Sequence, residues 1–299
     1  MMHSSQSRMK SNGTFVAFWV ILCCMTAGFL NILKPPGMTS HDVVAVIRRR
    51  LPSGLKVGHL GTLDPAAAGV LPLAVGWATR LISHLPDPPK AYLAEVQFGV
   101  RSDSHDAEGV QTPGGPLPLG FEPLLLSHLE RFSGTILQVP PQVSALRQNG
   151  QRGYERARRG EAFELPARPA TYHEIRYLGT QGPRVRLRVA CGPGTYIRAL
   201  ARDLGEALGC GAILSFLLRL QSGPFHLPEA LCLEELERPL EALLPWDWPL
   251  GNVPRYELEL WPPPAQGPEG LALHSRGAAL YRGGQRLWAR EGVGDGAAT

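Results

Sequence analysis

The chain is poor in cysteine and lysine and lacks the common nucleotide and metal signatures. Its 299 residues hold five cysteines: Cys23, Cys24, Cys191, Cys210 and Cys232. None are spaced C-x-x-C and their number is odd, which argues against a zinc site or a disulfide framework. Cys191 and Cys210 are expected to be small buried apolar residues. No H-E-x-x-H, Walker A or G-x-G-x-x-G pattern occurs, so neither a metal nor a nucleotide cofactor is expected. No internal repeat is visible. Charged residues make up only 19% against 44% apolar, which excludes a disordered chain and implies a real core. The length suits one large domain plus a small one.

The net charge of +4 is modest, but its distribution is not. Between Leu146 and Ala190 stand ten arginines and four acidic residues, a local excess of +6. Arg147, Arg152, Arg156, Arg158 and Arg159 crowd the first part of that segment. A polyanionic partner is the natural explanation, and a solvated arginine-rich surface the plain alternative. The chain has four lysines in all, Lys10, Lys34, Lys56 and Lys90, so the choice of arginine there also reflects overall composition.

The densest local signal is Gly58-His59-Leu60-Gly61-Thr62-Leu63-Asp64-Pro65, which continues through three alanines to Pro72. The glycines permit positive φ or close backbone approach. Asp64-Pro65 reads as a helix start, with Asp as N-cap and Pro at the first position. The apolar run to Leu85 then reads as a helix bent near Pro72. Before it, Phe29 to Leu33 reads as a strand and Pro35-Pro36-Gly37 as a turn. Ser40 is expected to cap a helix through Leu51, with Val43, Val44, Ile47 and Leu51 inward. Tyr92, Ala94, Val96, Phe98 and Val100 alternate along a strand. Residues 111–120 form a Pro/Gly loop, and Pro123 to Phe132 a short helix. Arg184 to Ala190 reads as a strand with one wet face. After a turn at Cys191 to Gly194, Thr195 caps a helix that ends at Leu208 before Gly209. Helices and strands do not alternate regularly. An α+β fold with a mixed, largely antiparallel sheet flanked by helices is therefore favoured. Residues 249–299 are rich in Gly and Pro with short alternating pieces, which suggests a small β-rich appendage.

Seven stretches, in order, resemble the TruB family of pseudouridine synthases. The stretch around Asp64 reads G-H-x-G-x-L-D-P-x-A-x-G-x-L-P. Lys34 to Ser40 resembles K-P-x-G-x-T-S, and Lys90-Ala91-Tyr92 resembles K-x-Y. Arg101 to Gly109 resembles R-T-D-T-x-D-x-x-G, and Pro141 to Arg147 resembles P-x-x-S-A-L-K. Gly194-Thr195-Tyr196-Ile197-Arg198, followed by Asp203-Leu204-Gly205 and Gly209 to Ala212, resembles G-T-Y-I-R…D-L-G…G-x-x-A. Leu217-Leu218-Arg219-Leu220 is the last. The likeness spans about residues 29 to 248.

The resemblance implies a pseudouridine synthase fold and an isomerase acting on the T-loop uridine of tRNA, position 55. It makes Asp64 the nucleophile, Arg198 its partner, and Tyr92 the ring that packs on the flipped uracil and takes up a proton. Tyr196 and Leu217 would line the same pocket. His59 would fill the gap left by the flipped base, and Asp106 would hold displaced bases. Arg147, Arg152, Arg156 and Arg159 would belong to a basic clamp over the T arm, around residues 141–168. Read without the family, Asp64 is a cap, Arg198 an exposed helix arginine beside Asp203, and Tyr92 and Leu217 core. A monomeric cytoplasmic enzyme with no cofactor, metal or membrane partner is expected. The alternatives are a related synthase acting on another RNA and a non-catalytic tRNA-binding chaperone. Residues 249–299 would be PUA-like. The apolar run from Thr14 to Leu30, preceded by Arg8 and Lys10, imitates a signal peptide or anchor. It leads directly into the first strand, so residues 1–28 are expected to be an extension, with Met25 placed to be the initiator.

Overall fold

The computed structural model describes residues 27–85, 87–142, 147–148, 151–152, 165–245, 256–259, 279–282 and 285–291. For 147–148, 151–152 and everything beyond 245 it describes the backbone alone. The chain divides into two compact units, Met1–Pro249 and Leu250–Thr299.

The first unit begins with β1 (Gly28–Lys34), α1 (Ser40–Arg49), β2 (Val57–His59) and β3 (Ala68–Val75), the last followed by a 3-10 turn, Gly76–Arg80. Next come β4 (Lys90–Phe98), β5 (Val100–Ser102), β6 (Gln111–Pro113), α2 (Phe121–Arg131) and β7 (Gly134–Gln138). A two-residue pair follows, β8 (Arg147–Gln148) and β9 (Gln151–Arg152). Then come β10 (Arg168–Gln181), β11 (Arg184–Cys191), α3 (Ile197–Ala207) and β12 (Ala212–Ser222). The short strands β13 (Phe225–His226), β14 (Leu231–Cys232) and β15 (Leu244–Pro245) close the unit.

One sheet runs β14-β1-β3-β12-β4-β11-β10-β7, with β2, β13 and β15 attached at its flanks. Only β1–β14 and β3–β12 pair in parallel within it. This is the mixed, largely antiparallel sheet expected of the sequence. Val43, Val44 and Ile47 of α1, Leu125 and Leu129 of α2, and Leu200, Ala201 and Leu204 of α3 pack with one face of it in the main core. Alternation on β4 and β11 sends Tyr92, Ala94, Val96, Val185, Leu187 and Val189 into that core. The opposite face bears a smaller cluster, Phe29, Val70, Ala74, Ala78 and Phe225. The second unit contains an antiparallel sheet ordered β16 (Tyr256–Glu259), β18 (Gln285–Glu291) and β17 (Ala279–Arg282).

Three local expectations are corrected. The run after Asp64 is a strand, not a bent helix. Val70, Leu71, Leu73 and Val75 are buried on both faces between neighbours, and a short apolar run of that length fits either element. Pro72 fits the strand because its carbonyl accepts from Leu60 N at 2.9 Å, just past the end of β2. The N–H that proline lacks would face the same side, where β2 has already ended. At α1 the cap is Thr39, not Ser40: Thr39 and Asp42 form a reciprocal capping box. At α3 the N-cap is Tyr196, not Thr195, and it makes no side-chain cap bond. Gly209 does end that helix, at φ +71°. Cys191 and Cys210 are buried, as expected. Among the described residues no helix is long and apolar enough to cross a membrane. Most of the apolar N-terminal run lies outside them.

Candidate active site

The loop between β2 and β3, which carries Asp64, is held chiefly through its carbonyls. Arg219 on β12 is fully buried and spends its guanidinium on main-chain oxygens: Nε on Val70 O (2.6 Å), Nη1 on Thr62 O (3.2 Å) and Nη2 on Gly61 O (3.3 Å). Ser40, released from capping, accepts from Leu63 N (2.9 Å) and donates to Leu63 O (3.1 Å). Ala67 N donates to Asp64 O at 3.1 Å, and Gly37 N to Pro65 O at 2.9 Å. Lys34, buried at the end of β1, donates to Pro35 O, Pro65 O and Ala67 O at 2.8, 3.0 and 2.7 Å. Each carbonyl from Gly61 to Pro65 therefore has a partner, so a loop with no regular structure is fixed in one shape. Gly69 makes this approach possible. At φ +116°, a Cβ there would stand 2.3 Å from Arg219 O. Burial drives the Lys34 ammonium down to about 8, opposed chiefly by the nearby Asp64 carboxylate.

Asp64 itself is partly exposed at the edge of this loop and meets Arg198 from the first turn of α3. Arg198 Nε lies 2.9 Å from Asp64 Oδ2, and the arginine side chain is only 6% exposed. Its Nη1 reaches Asp106 Oδ2 at 3.6 Å and Ser104 O at 3.3 Å. Asp106 is in turn held by Ser104 Oγ (2.5 Å) and Glu108 N (3.0 Å), and its neighbours bond to the Leu214 backbone. His105, between them, is the one described non-glycine residue at positive φ. The N-terminus of α3 is set from the far edge of the sheet. Gln138 on β7 accepts from Tyr196 N at 3.0 Å and donates to Tyr196 O at 3.2 Å and Tyr172 OH at 2.7 Å.

A cavity of about 250 Å³ opens onto the ion pair. Its wall includes Asp64, Lys90, Tyr92, Tyr196, Arg198 and Leu217. That is below the ~300 Å³ at which ligand pockets usually begin, and suits one small planar group. Tyr92 is buried, and that burial pushes its phenol up to about 12 against the pull of nearby Arg219. Leu217 and Tyr92 give the wall apolar surface, and the Asp64 carboxylate and Arg198 guanidinium give it charge.

Two family models match adjoining segments of the chain. Residues 48–197 match the N-terminal domain of TruB family pseudouridylate synthases, and residues 198–244 the C-terminal domain of tRNA pseudouridylate synthase B. The tRNA pseudouridine synthase B of Moorella thermoacetica is 46% identical over 81% of this chain and 76% of that protein. The same-named protein of Symbiobacterium thermophilum is 48% identical over 76% and 77%. The chain belongs to the TruB family of pseudouridylate synthases. A solved structure described as a Cbf5-Nop10-Gar1 complex shares the fold, with TM-score 0.59 and 31% identity. The match covers 77% of this chain and 63% of that one. In this TruB-family chain the Asp64–Arg198 pair joins the two matched segments, since the boundary falls between Ile197 and Arg198.

Of the residues singled out in the sequence, the fold brings Asp64, Tyr92, Arg198, Tyr196 and Leu217 to one cavity and Asp106 to the same ion network. Arg198 is not an exposed arginine beside Asp203. It is buried, and Asp203 pairs with Arg202 at 2.7 Å instead. His59 stands apart from the cavity wall, at the end of β2, edge-on to His41 with ring centroids 5.3 Å apart. Burial, then His41 and Arg219, hold its imidazole below the usual range. Arg147 and Arg152 lie on β8 and β9, where the backbone alone is described, and Arg156 and Arg159 lie outside the described residues. Sequence reasoning gave no place in the site to Lys34, Ser40, Lys90, Arg219 or Gln138. The first four sit inside stretches that matched the family pattern, so a signal existed. Gln138 lies in none.

Proposed function

We propose that this chain converts the T-loop uridine of tRNA, position 55, to pseudouridine, with Asp64 as the nucleophile. The observation that carries the reading is the Asp64–Arg198 ion pair at the wall of a base-sized cavity also lined by Tyr92 and Leu217. The names of the relatives supply the substrate class. The reaction breaks the bond from ribose C1′ to uracil N1 and forms one to C5. The C5 proton leaves and N1 gains one, so no oxidant or co-reactant is needed. A carboxylate serves either by adding to C6 or by taking part at C1′ while the base turns. Both routes need an ionised carboxylate in a partly dry site. Arg198 supplies the counter-charge, and Asp106 fixes the far end of the guanidinium.

A uridine stacked in the T arm must be extruded at a cost of a few kcal/mol before it reaches this cavity. Leu217 and the Tyr92 ring offer it apolar faces in exchange. The arginine-rich stretch around 141–168 is then the contact to the backbone, as RNA of this kind is read largely by shape and phosphate. A tRNA substrate also places the enzyme in the cytoplasm. The test is incubation with an unmodified tRNA transcript, followed by base-resolution mapping of pseudouridine. Conversion at the T-loop uridine is expected. Conversion only in another RNA, or tight tRNA binding without conversion, overturns the reading.

A further inference from the structure

Two cations line the cavity among the described residues, and only one of them is committed to Asp64. Arg198 is engaged by Asp64, Asp106 and the Ser104 carbonyl. Lys90, at the start of β4, lies within the wall with its side chain 11% exposed. Its Nζ pairs with Asp87 Oδ1 at 2.6 Å, and that carboxylate is 57% exposed. The stem of Lys90 runs beside the Asp64 loop: a Cβ built on Gly61 would stand 3.7 Å from Lys90 Cε. Both Lys90 and Asp87 belong to the cavity wall, and the exposure of Asp87 puts their pair at its mouth.

We propose that Lys90 is the phosphate-binding cation of this cavity, with Asp87 holding its ammonium until the backbone phosphate of the extruded nucleotide displaces it. This rests on the function proposed above. A nucleotide whose base enters the cavity leaves its two phosphodiesters at the rim. An anion arriving there meets Asp87, which repels it, and Lys90, which attracts it. An ion pair with one exposed partner is weak and opens readily. A charge-assisted hydrogen bond from ammonium to phosphate then replaces it. The residue type agrees. In a chain with four lysines against twenty-six arginines, this position carries a lysine. A compact ammonium on a flexible stem can swing from carboxylate to phosphate, whereas a guanidinium holds a carboxylate in a two-pronged grip. Asp87 then also acts as a filter, since the ammonium leaves it in favour of a ligand that brings its own negative charge to that point.

The test uses the full chain and an unmodified T-arm RNA hairpin. Binding is measured across a salt series for the unaltered protein and for Lys90→Gln, Lys90→Arg and Asp87→Asn. Lys90→Gln is expected to weaken binding by about three- to tenfold and to lower the salt slope by roughly 0.7 to 0.9, the value of one phosphate contact. Lys90→Arg keeps the slope. Asp87→Asn binds several-fold tighter, because the competing carboxylate is gone. A methylphosphonate at the phosphate flanking the target uridine weakens binding by the unaltered protein but costs Lys90→Gln nothing further. An unchanged slope in Lys90→Gln, or a full methylphosphonate penalty in that variant, overturns the proposal. If thermal melting shows that Lys90→Gln does not fold, Asp87→Asn decides, and binding that is unchanged or weaker rejects it. Failure of the unaltered protein to make pseudouridine would instead reject the function on which the proposal rests.

Discussion

Asp64 and Tyr92 show how little of a residue's role lies in its identity. Asp64 sits in the middle of a held loop with a buried guanidinium 2.9 Å away, so a counter-charge is in place before substrate arrives. Asp64→Asn keeps the shape and removes the proposed nucleophile. It is expected to abolish conversion while leaving tRNA affinity within about tenfold, or ~1.4 kcal/mol, in a filter-binding assay. The resemblance gives Tyr92 a proton to take up as well as a ring to stack. A phenol held at about 12 by burial is neutral at physiological pH and a poor base. Its contribution as a ring is what the cavity uses. Tyr92→Phe should therefore leave the shape of the pH–rate profile between about pH 6 and 9 unchanged, even where the rate itself falls. The linkage has a definite sign. The folded value exceeds the ordinary 10, so this group's stabilising effect is complete below pH 10 and disappears as pH rises through about 12. An ultraviolet titration of the folded protein should lose one late-ionising phenol in Tyr92→Phe. A lost mid-range ionisation would show that Tyr92 titrates near neutrality instead.

At the scale of elements, the loop from Gly61 to Ala67 is shaped from outside itself. Its carbonyls find Arg219 from β12, Ser40 from α1 and Lys34 from β1, all more than twenty residues from the groups they hold. This explains why Asp64-Pro65 looks like a helix start and is not one. A helix there would satisfy these groups internally, whereas the side chains of three neighbours satisfy them in an irregular conformation. Ser40→Ala leaves Leu63 N–H buried and unpaired at a cost of about 1–3 kcal/mol. We expect a lower denaturation midpoint together with a loss in kcat that exceeds any change in KM, since the loop positions Asp64 rather than binding RNA. A variant with normal kcat and only reduced stability would show that Ser40 holds the fold but not the nucleophile.

At the scale of the molecule, the ion pair and the charge excess serve different steps. In the proposed function the cavity and its carboxylate act on one base, while the arginines between Leu146 and Ala190 spread a positive field over a much longer stretch of chain. Part of that excess, Arg184 and Arg186 on β11, is exposed and shared with Glu95 at 3.7 and 3.2 Å. The part without described side chains, from Arg147 to Arg159, lies in the candidate clamp around 141–168. Replacing Arg152, Arg156 and Arg159 with Ala should weaken tRNA binding and flatten its salt dependence by roughly one unit of slope for each phosphate no longer neutralised. It should leave single-turnover conversion at saturating tRNA near its original rate. An unchanged salt slope would place these arginines away from phosphate.

The sequence alone was enough for the fold class, the sheet's alternating strands and the choice of Asp64, Tyr92 and Arg198, which the fold brings to one cavity. Period-two apolar patterning fixes which face of β4 and β11 is buried, and the ordered motifs carried the rest. It misplaced the element after Asp64, because a short run of apolar residues buried on both faces reads alike as strand or helix until its neighbours are known. It also read Ser40 as a cap, since a serine before an apolar run has that role by default, and only the capping box of Thr39 and Asp42 frees it. The tertiary structure decided what no window of sequence contains. Arg219 and Lys34 are buried charges that reach main-chain oxygens more than thirty residues away, and such oxygens leave no mark in the side-chain code. For the same reason Arg198 looked like a surface arginine. Its two carboxylates come from separate loops that approach each other only when β12 draws them together.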